Sequence, residues 1–210
     1  IYYLVIYVLT HLMSEYTYTK DKLTSSGGSS VMMDWERPIM KKVAELVTEN
    51  KGDVLNIGFG LGIVDGYINA LNPKSHTIIE CHPDVINHIN ETGWKNKANI
   101  IEGKWQDSIG KMDSFDSIYM DTWGDIRVPH INDLIENHLN VGGIFSIWHT
   151  DLEFEMILDK LPNNYEVSYV YLENNNLIPK TQHDNNDYYI DPSLEKITIP
   201  IIKKTKVMRK

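Results

Sequence analysis

A short apolar strand running straight into a cluster of glycines leaves this chain few architectures. Val54–Ile57 reads as a buried strand, and Gly58-Phe59-Gly60-Leu61-Gly62 follows it with no spacer before a helical pattern from about Ile63 to Ala70. Glycines there permit a tight turn and let ligand atoms approach the backbone closely. The spacing G-x-G-x-G differs from the dinucleotide fingerprint G-x-G-x-x-G, and a packing turn between strand and helix stays open as the alternative.

The rest of the chain extends the same alternation. Strands are expected at Thr77–Glu80, Asn99–Glu102, Phe115–Met120 and Ile144–Trp148, with helices near Asp84–Thr92, Ile131–Leu139 and Leu152–Leu161. Upstream, Asp34 is placed to cap a helix whose Trp35, Ile39, Val43, Leu46 and Val47 share one face, with Pro38 in its first turn and Lys51-Gly52 at its end. Such alternation predicts an α/β fold with a mostly parallel sheet covered by helices on both faces. Glu166–Leu172 and Lys196–Ile202 lack an intervening helix and are expected to pair as an antiparallel edge hairpin, giving seven strands. The Asn-rich stretch 173–186 between them reads as a lid or a disordered insert.

Composition bounds the function. The 210 residues, 42% hydrophobic and 23% charged, suit one domain with a real core. A net charge of −9 argues against broad binding to nucleic acid. The single cysteine, Cys81, forms no internal disulfide, and a cytoplasmic protein is expected. The nine-residue apolar run Ile1–Leu9 is about half of a membrane span, so no membrane partner is expected. Residues 1–30 read as an extension (translation plausibly starting at Met13) with a flexible lead-in at 21–30, and 31–210 as the single domain. The eight histidines show no ligand spacing, and no metal is expected.

The residues beyond the glycine loop narrow the ligand. Glu80 ends the second strand, 18 residues after Gly62, where a carboxylate can accept ribose hydroxyls. Trp105 and Gln106 lie past the third strand, where an adenine ring would sit, although Trp105 equally suits the core. No phosphate-binding lysine or arginine stands near the loop and no P-loop is present. A nucleoside without phosphates, such as S-adenosylmethionine, fits this set better than a nucleotide.

Several segments resemble the guanidinoacetate N-methyltransferases and their relatives, the fungal protein arginine methyltransferases 2. They are Val31-Met-Met-Asp-Trp-Glu-Arg-Pro-Ile-Met40, Val54–Ile63, Ile78-Ile-Glu-Cys-His-Pro-Asp84, Glu102-Gly-Lys-Trp-Gln-Asp107 and Phe115-Asp-Ser-Ile-Tyr-Met-Asp-Thr122, with Tyr188-Tyr189 and Ile197–Ile201 near the end. The resemblance implies a Rossmann-like class I methyltransferase fold that uses S-adenosyl-L-methionine and releases S-adenosyl-L-homocysteine. It implies that Met32, Met40, Gly58, Phe59, Gly60, Leu61, Gly62, Ile63, Glu80, Cys81, His82, Trp105, Gln106 and Asp121 line the cofactor. It further implies that Glu36 and Asp121 bind the guanidino group as catalytic acids; His149 and Thr150 follow the fifth strand, where they could line the acceptor pocket. Read alone, Glu36 could be an acid favoured by a helix's first turn, Met32 and Met40 could be packing, and His82 could simply face solvent.

A guanidinium has a pKa above about 12 and no free lone pair, so methylating it needs one carboxylate to hold the planar fork and one to take the proton. The expected activity is therefore methyl transfer to a guanidino nitrogen of a small molecule resembling guanidinoacetate. Arginine, free or in a protein, is the alternative acceptor, and an idle nucleoside-binding module is the alternative class. Glu80→Ala is expected to weaken cofactor binding and spare stability.

Overall fold

The computed structural model describes residues 15–122, 128–148, 151–175, 177 and 193–206. Three short strands come first: β1 (Tyr16–Tyr18), β2 (Lys22–Ser25) and β3 (Ser30–Met33). A 3-10 turn at Asp34–Glu36 leads into α1 (Arg37–Val47). The alternating part runs β4 (Asp53–Ile57), α2 (Ile63–Ala70), β5 (Ser75–Glu80), α3 (Pro83–Glu91), β6 (Asn99–Glu102), α4 (Trp105–Ser108), β7 (Phe115–Met120), α5 (Val128–His138), β8 (Leu139–Ile147) and α6 (Asp151–Leu158). Strands β9 (Tyr165–Glu173) and β10 (Lys196–Lys204) follow.

The seven strands β4–β10 form one sheet in the order β6-β5-β4-β7-β8-β10-β9. Pairs among β4 to β8 are parallel, and β10 is antiparallel to both β8 and β9. The expected edge hairpin therefore forms with its second strand turned inward, leaving β9 as the edge. Period-two alternation sorts the strands onto two cores. Val54, Ile78 and Tyr119 face α1, α2 and α3 with Ile39, Val43, Ile68 and Ile89, whereas Leu55, Ile79, Ile118 and Met120 face α4, α5 and α6 with Ile131, Ile135 and Ile157. Covering both faces forces the sheet's ligand site out to the strand ends.

Residues 21–30 are not a flexible lead-in. They carry β2 and the turn into β3, so the boundary expected at residue 31 falls inside a three-stranded antiparallel sheet. The Ser-Ser-Gly-Gly-Ser-Ser run is its hairpin connection, closed by the Ser25 N–H to the Ser29 carbonyl and the Gly28 N–H to the Ser25 carbonyl, both 2.9 Å. What holds this sheet down is apolar: Leu23 is completely buried, and Met32 and Met33 are buried beside it. Side-chain burial of this kind contributes roughly 1.5–3 kcal/mol per large residue, enough to order a short ribbon that would be marginal alone.

Asp34 does not cap α1 with its side chain; it pairs with Arg37 instead. The 173–186 stretch lies mostly outside the described residues. Replacing Leu23 with Ala removes the buried anchor of the small sheet, and chemical denaturation should show a loss of about 2–5 kcal/mol.

Candidate active site

The site is assembled where β4, β5 and β7 end. Past the last ladder residues, the Asp121 N–H donates to the Ile57 carbonyl (2.8 Å), the Gly58 N–H to the Ile79 carbonyl (2.9 Å) and the Gly103 N–H to the Glu80 carbonyl (2.7 Å). These bonds extend the parallel register into the loops and bring Gly58 against Asp121. Gly58 sits at φ +93°, and a Cβ there would overlap the Asp121 carbonyl. Gly60 sits at φ +56°, with the Met32 sulfur 2.9 Å from where its Cβ would be. Any side chain at either position would need a rare backbone conformation as well as space that is taken.

Glu80 holds this loop from the neighbouring strand. Its Oε2 accepts the Phe59 N–H (2.9 Å), and its Oε1 accepts those of Cys81 (2.7 Å) and His82 (2.8 Å). A carboxylate offers about four acceptor positions. Three are committed to backbone, leaving Oε2 the room for a ligand hydroxyl. The small sheet lies over the same loop. The Leu61 N–H points to the Met32 sulfur (3.2 Å), and the Tyr18 hydroxyl donates to the Gly60 carbonyl (3.2 Å). Tyr16 stacks on His82 with ring centres 3.6 Å apart, its N–H donates to Asp84 (2.8 Å), and Tyr18 stacks on His88. Burial, then the charge of Glu80, pushes both tyrosine hydroxyls well above their ordinary pKa.

Glu36 and Asp121 face one another electrostatically. Glu36 is buried, at 2% exposure, and its Oε1 accepts the Met33 N–H (2.7 Å), which fixes the carboxylate at the end of β3. The Asp121 Oδ2 is shielded from solvent and has no hydrogen-bond partner among the described residues. Burial first, then the charges of Glu36, Asp65 and Glu80, raises the Asp121 pKa well above the usual carboxylate range. Carboxylates crowded in this way lower their energy by taking up either a proton or a cation.

The other expected site residues fall into three groups. Cys81 and Gln106 are half-buried, and Ile63 is buried in the first turn of α2. Phe59 is fully buried against Trp94, so it can offer a ligand only its backbone; Met40 is fully buried too, with its sulfur under the Tyr119 hydroxyl (3.6 Å). Trp105 packs in the second core, edge-on to His130. His82 does not face solvent: it is 5% exposed and its Nδ1 accepts the Asp84 N–H, capping α3. His149 and Thr150 lie outside the described residues, as do Trp123, Asp125, Tyr188 and Tyr189.

Sequence reasoning passed over Tyr16 and Tyr18, whose Tyr-x-Tyr alternation was the available sign of a strand. It also passed over the buried polar set Asn56, Asp65 and His76, which no local pattern joins. Among the described residues no cluster of metal-ligating side chains occurs, and no helix is long and apolar enough to cross a membrane.

A sheet of this order, with a bare glycine loop after β4 and an acid ending β5, is the class I methyltransferase fold. Solved structures agree on the fold: spermidine synthase aligns over 92% of this chain and 69% of its own at a TM-score of 0.62 and 14% identity. The SAH-bound Podospora anserina methyltransferase covers 81% and 78% at a TM-score of 0.52 and 14% identity. The family model described as guanidinoacetate N-methyltransferase matches residues 8–149, and the chain belongs to that family. It is 34% identical to protein arginine N-methyltransferase 2 of Candida glabrata over 88% of this chain and 52% of that protein. The Kluyveromyces lactis protein of the same name is 40% identical over 67% and 38%. The chain thus spans about half the length of the first of these relatives, and less of the second.

The residues present fit the cofactor: Glu80 keeps an acceptor position at the strand end beside the glycine loop, and the unpartnered, shielded Asp121 Oδ2 offers negative charge to a sulfonium. The three backbone bonds of Glu80 overturn the expectation that its loss spares stability. Glu80→Ala should lower the unfolding free energy by at least about 2 kcal/mol, because buried donors are left unmet, and weaken S-adenosylmethionine binding measured by calorimetry. Asp121→Asn should do the reverse for stability. The folded state holds a proton on Asp121 that the unfolded chain releases near its ordinary value of 3.8, so stability falls as pH rises from there through the raised folded value. The Asn variant lacks that decline and should melt higher at pH 7 than the parent protein.

Proposed function

We propose that this domain transfers a methyl group from S-adenosylmethionine to a guanidino nitrogen of arginine, with protein-borne arginine as the favoured acceptor. The observation that carries the reading is the shielded Asp121 carboxylate, crowded by Glu36, Asp65 and Glu80 at the mouth of the glycine loop. That charge set favours a cation, and a planar guanidinium offers paired N–H donors to a carboxylate. The relatives named protein arginine N-methyltransferase 2 support arginine over the small guanidinoacetate-like acceptor first expected. The family model's own description keeps guanidinoacetate as the second reading.

The cofactor, when bound, supplies a methyl group on a positively charged sulfur and leaves as S-adenosylhomocysteine. The glycine loop and Glu80 hold its nucleoside portion. Glu36, fixed by the Met33 N–H, orients the guanidinium. Asp121 pairs with the reacting nitrogen and receives its proton as the N–C bond forms. Both carboxylates sit on anchored backbone, Asp121 just past β7 through its N–H to the Ile57 carbonyl and Glu36 in the turn before α1, so the nitrogen is aligned before reaction. A single cysteine, half-buried beside Glu80, suits a reducing compartment, and cytoplasmic residence is part of the proposal.

Methyl-labelled S-adenosylmethionine, incubated with guanidinoacetate, free arginine and an arginine-containing protein, decides between acceptors; label in the protein is expected, and label in guanidinoacetate alone reverses the assignment. Asp121→Asn should lower kcat by about 10²–10⁴-fold. In the parent protein, kcat/KM should fall as pH drops through the raised Asp121 value, because only the ionised carboxylate pairs with the guanidinium.

A further inference from the structure

Behind the glycine loop lies a polar cluster that the cofactor and acceptor chemistry does not use. Asp65, in the first turn of α2, has no exposed surface. Its Oδ1 accepts from the Asn56 amide (2.8 Å) and stands 3.0 Å from the His76 Nε2. The other His76 ring nitrogen faces the Asn69 Oδ1 at 2.9 Å. The same Asn56 amide donates its second hydrogen to the Gly58 carbonyl (2.8 Å). Gly58 is the residue whose α-carbon rests on the Asp121 carbonyl.

A buried ion pair is weak grounds for stability, since apolar residues of similar volume often serve as well or better. Here the Asp65 Oδ2 and the Asn56 Oδ1 are also shielded and lack partners among the described residues, so the cluster is costly even as a polar core. Its value lies in where it points. From Asp65 on α2, through Asn56 on β4, two hydrogen bonds run to the loop residue packed against the Asp121 carbonyl just past β7.

We propose that Asp65 is a positioning residue of the transfer site, acting through Asn56 on the Gly58 carbonyl and through its buried charge on Asp121. The proposal rests on the reading of Asp121 as the acid that meets the guanidinium. Asp121 is faced by Glu36 from the turn before α1, Glu80 from β5 and Asp65 from α2.

Carboxyl carbon-13 NMR titration of the full chain, with the Asp121 signal assigned through Asp121→Asn, tests this without any assay of activity. In Asp65→Asn the Asp121 midpoint should fall by about one pH unit, since a buried repelling charge is removed. Asp65→Ala removes the same charge and should lower it likewise. A purely structural role moves neither midpoint, so an unmoved Asp121 in either folded variant overturns the proposal, as does failure of both variants to fold. Absence of methyl transfer to arginine would overturn the acceptor reading, while this titration would still decide whether Asp65 governs Asp121.

Discussion

Everything at the functional end of this domain depends on how closely the backbone after β4 approaches the backbone after β7. The Asp121 N–H closes on the Ile57 carbonyl at 2.8 Å, and the next residue, Gly58, lies so close to the Asp121 carbonyl that no side chain fits between them. Parallel pairing of β4 with β7 dictates that contact. With it, the glycine loop on one strand and the reacting acid on the other become parts of a single rigid corner. A loop-borne acid would have to be ordered at each turnover; this one is ordered by the sheet.

The second constraint is charge. Glu36, Asp65, Glu80 and Asp121 converge near one corner, and Asp121 bears the penalty as a raised affinity for protons. Three of the four are nonetheless held by specific donors: Glu80 by the amides of Phe59, Cys81 and His82, Glu36 by that of Met33, and Asp65 by the Asn56 side chain. The fold thereby sustains an arrangement that isolated carboxylates would relieve by moving apart. A bound cation relieves it instead, which ties ligand binding to local stability.

The parts of this design that are local in sequence were legible there. The glycine loop, Glu80 at a strand end, and Asp121 closing an apolar strand each declare themselves within a few residues, because strand and loop must alternate in register with the ligand. Glu36 was legible as an acid beside a helix start, and the structure gives it a bond to Met33 that any such acid could make. The small sheet was not legible. Ser-Ser-Gly-Gly-Ser-Ser has the composition of a linker, and only the tertiary burial of Leu23 turns it into a hairpin. The Asp65–His76 pair was invisible for another reason: eleven positions separate the two residues, and the pairing needs β5 laid beside β4. Met40 and Phe59, which the resemblance placed at the cofactor, are fully buried in the first core, where no local pattern separates a ligand-lining side chain from a packed one.

The place of β10 has a consequence for how the domain comes into being. It is synthesised after β9 yet lies between β8 and β9, antiparallel to both. Until residues 196–204 leave the ribosome, β8 presents an unpaired edge and β9 has no sheet to join. The nascent chain must therefore carry a nearly complete core with one open flank, the state most exposed to mispairing with another chain. The strand that arrives late acts as a keystone, and the site at the far ends of β4 and β7 is assembled before the sheet that supports it is closed.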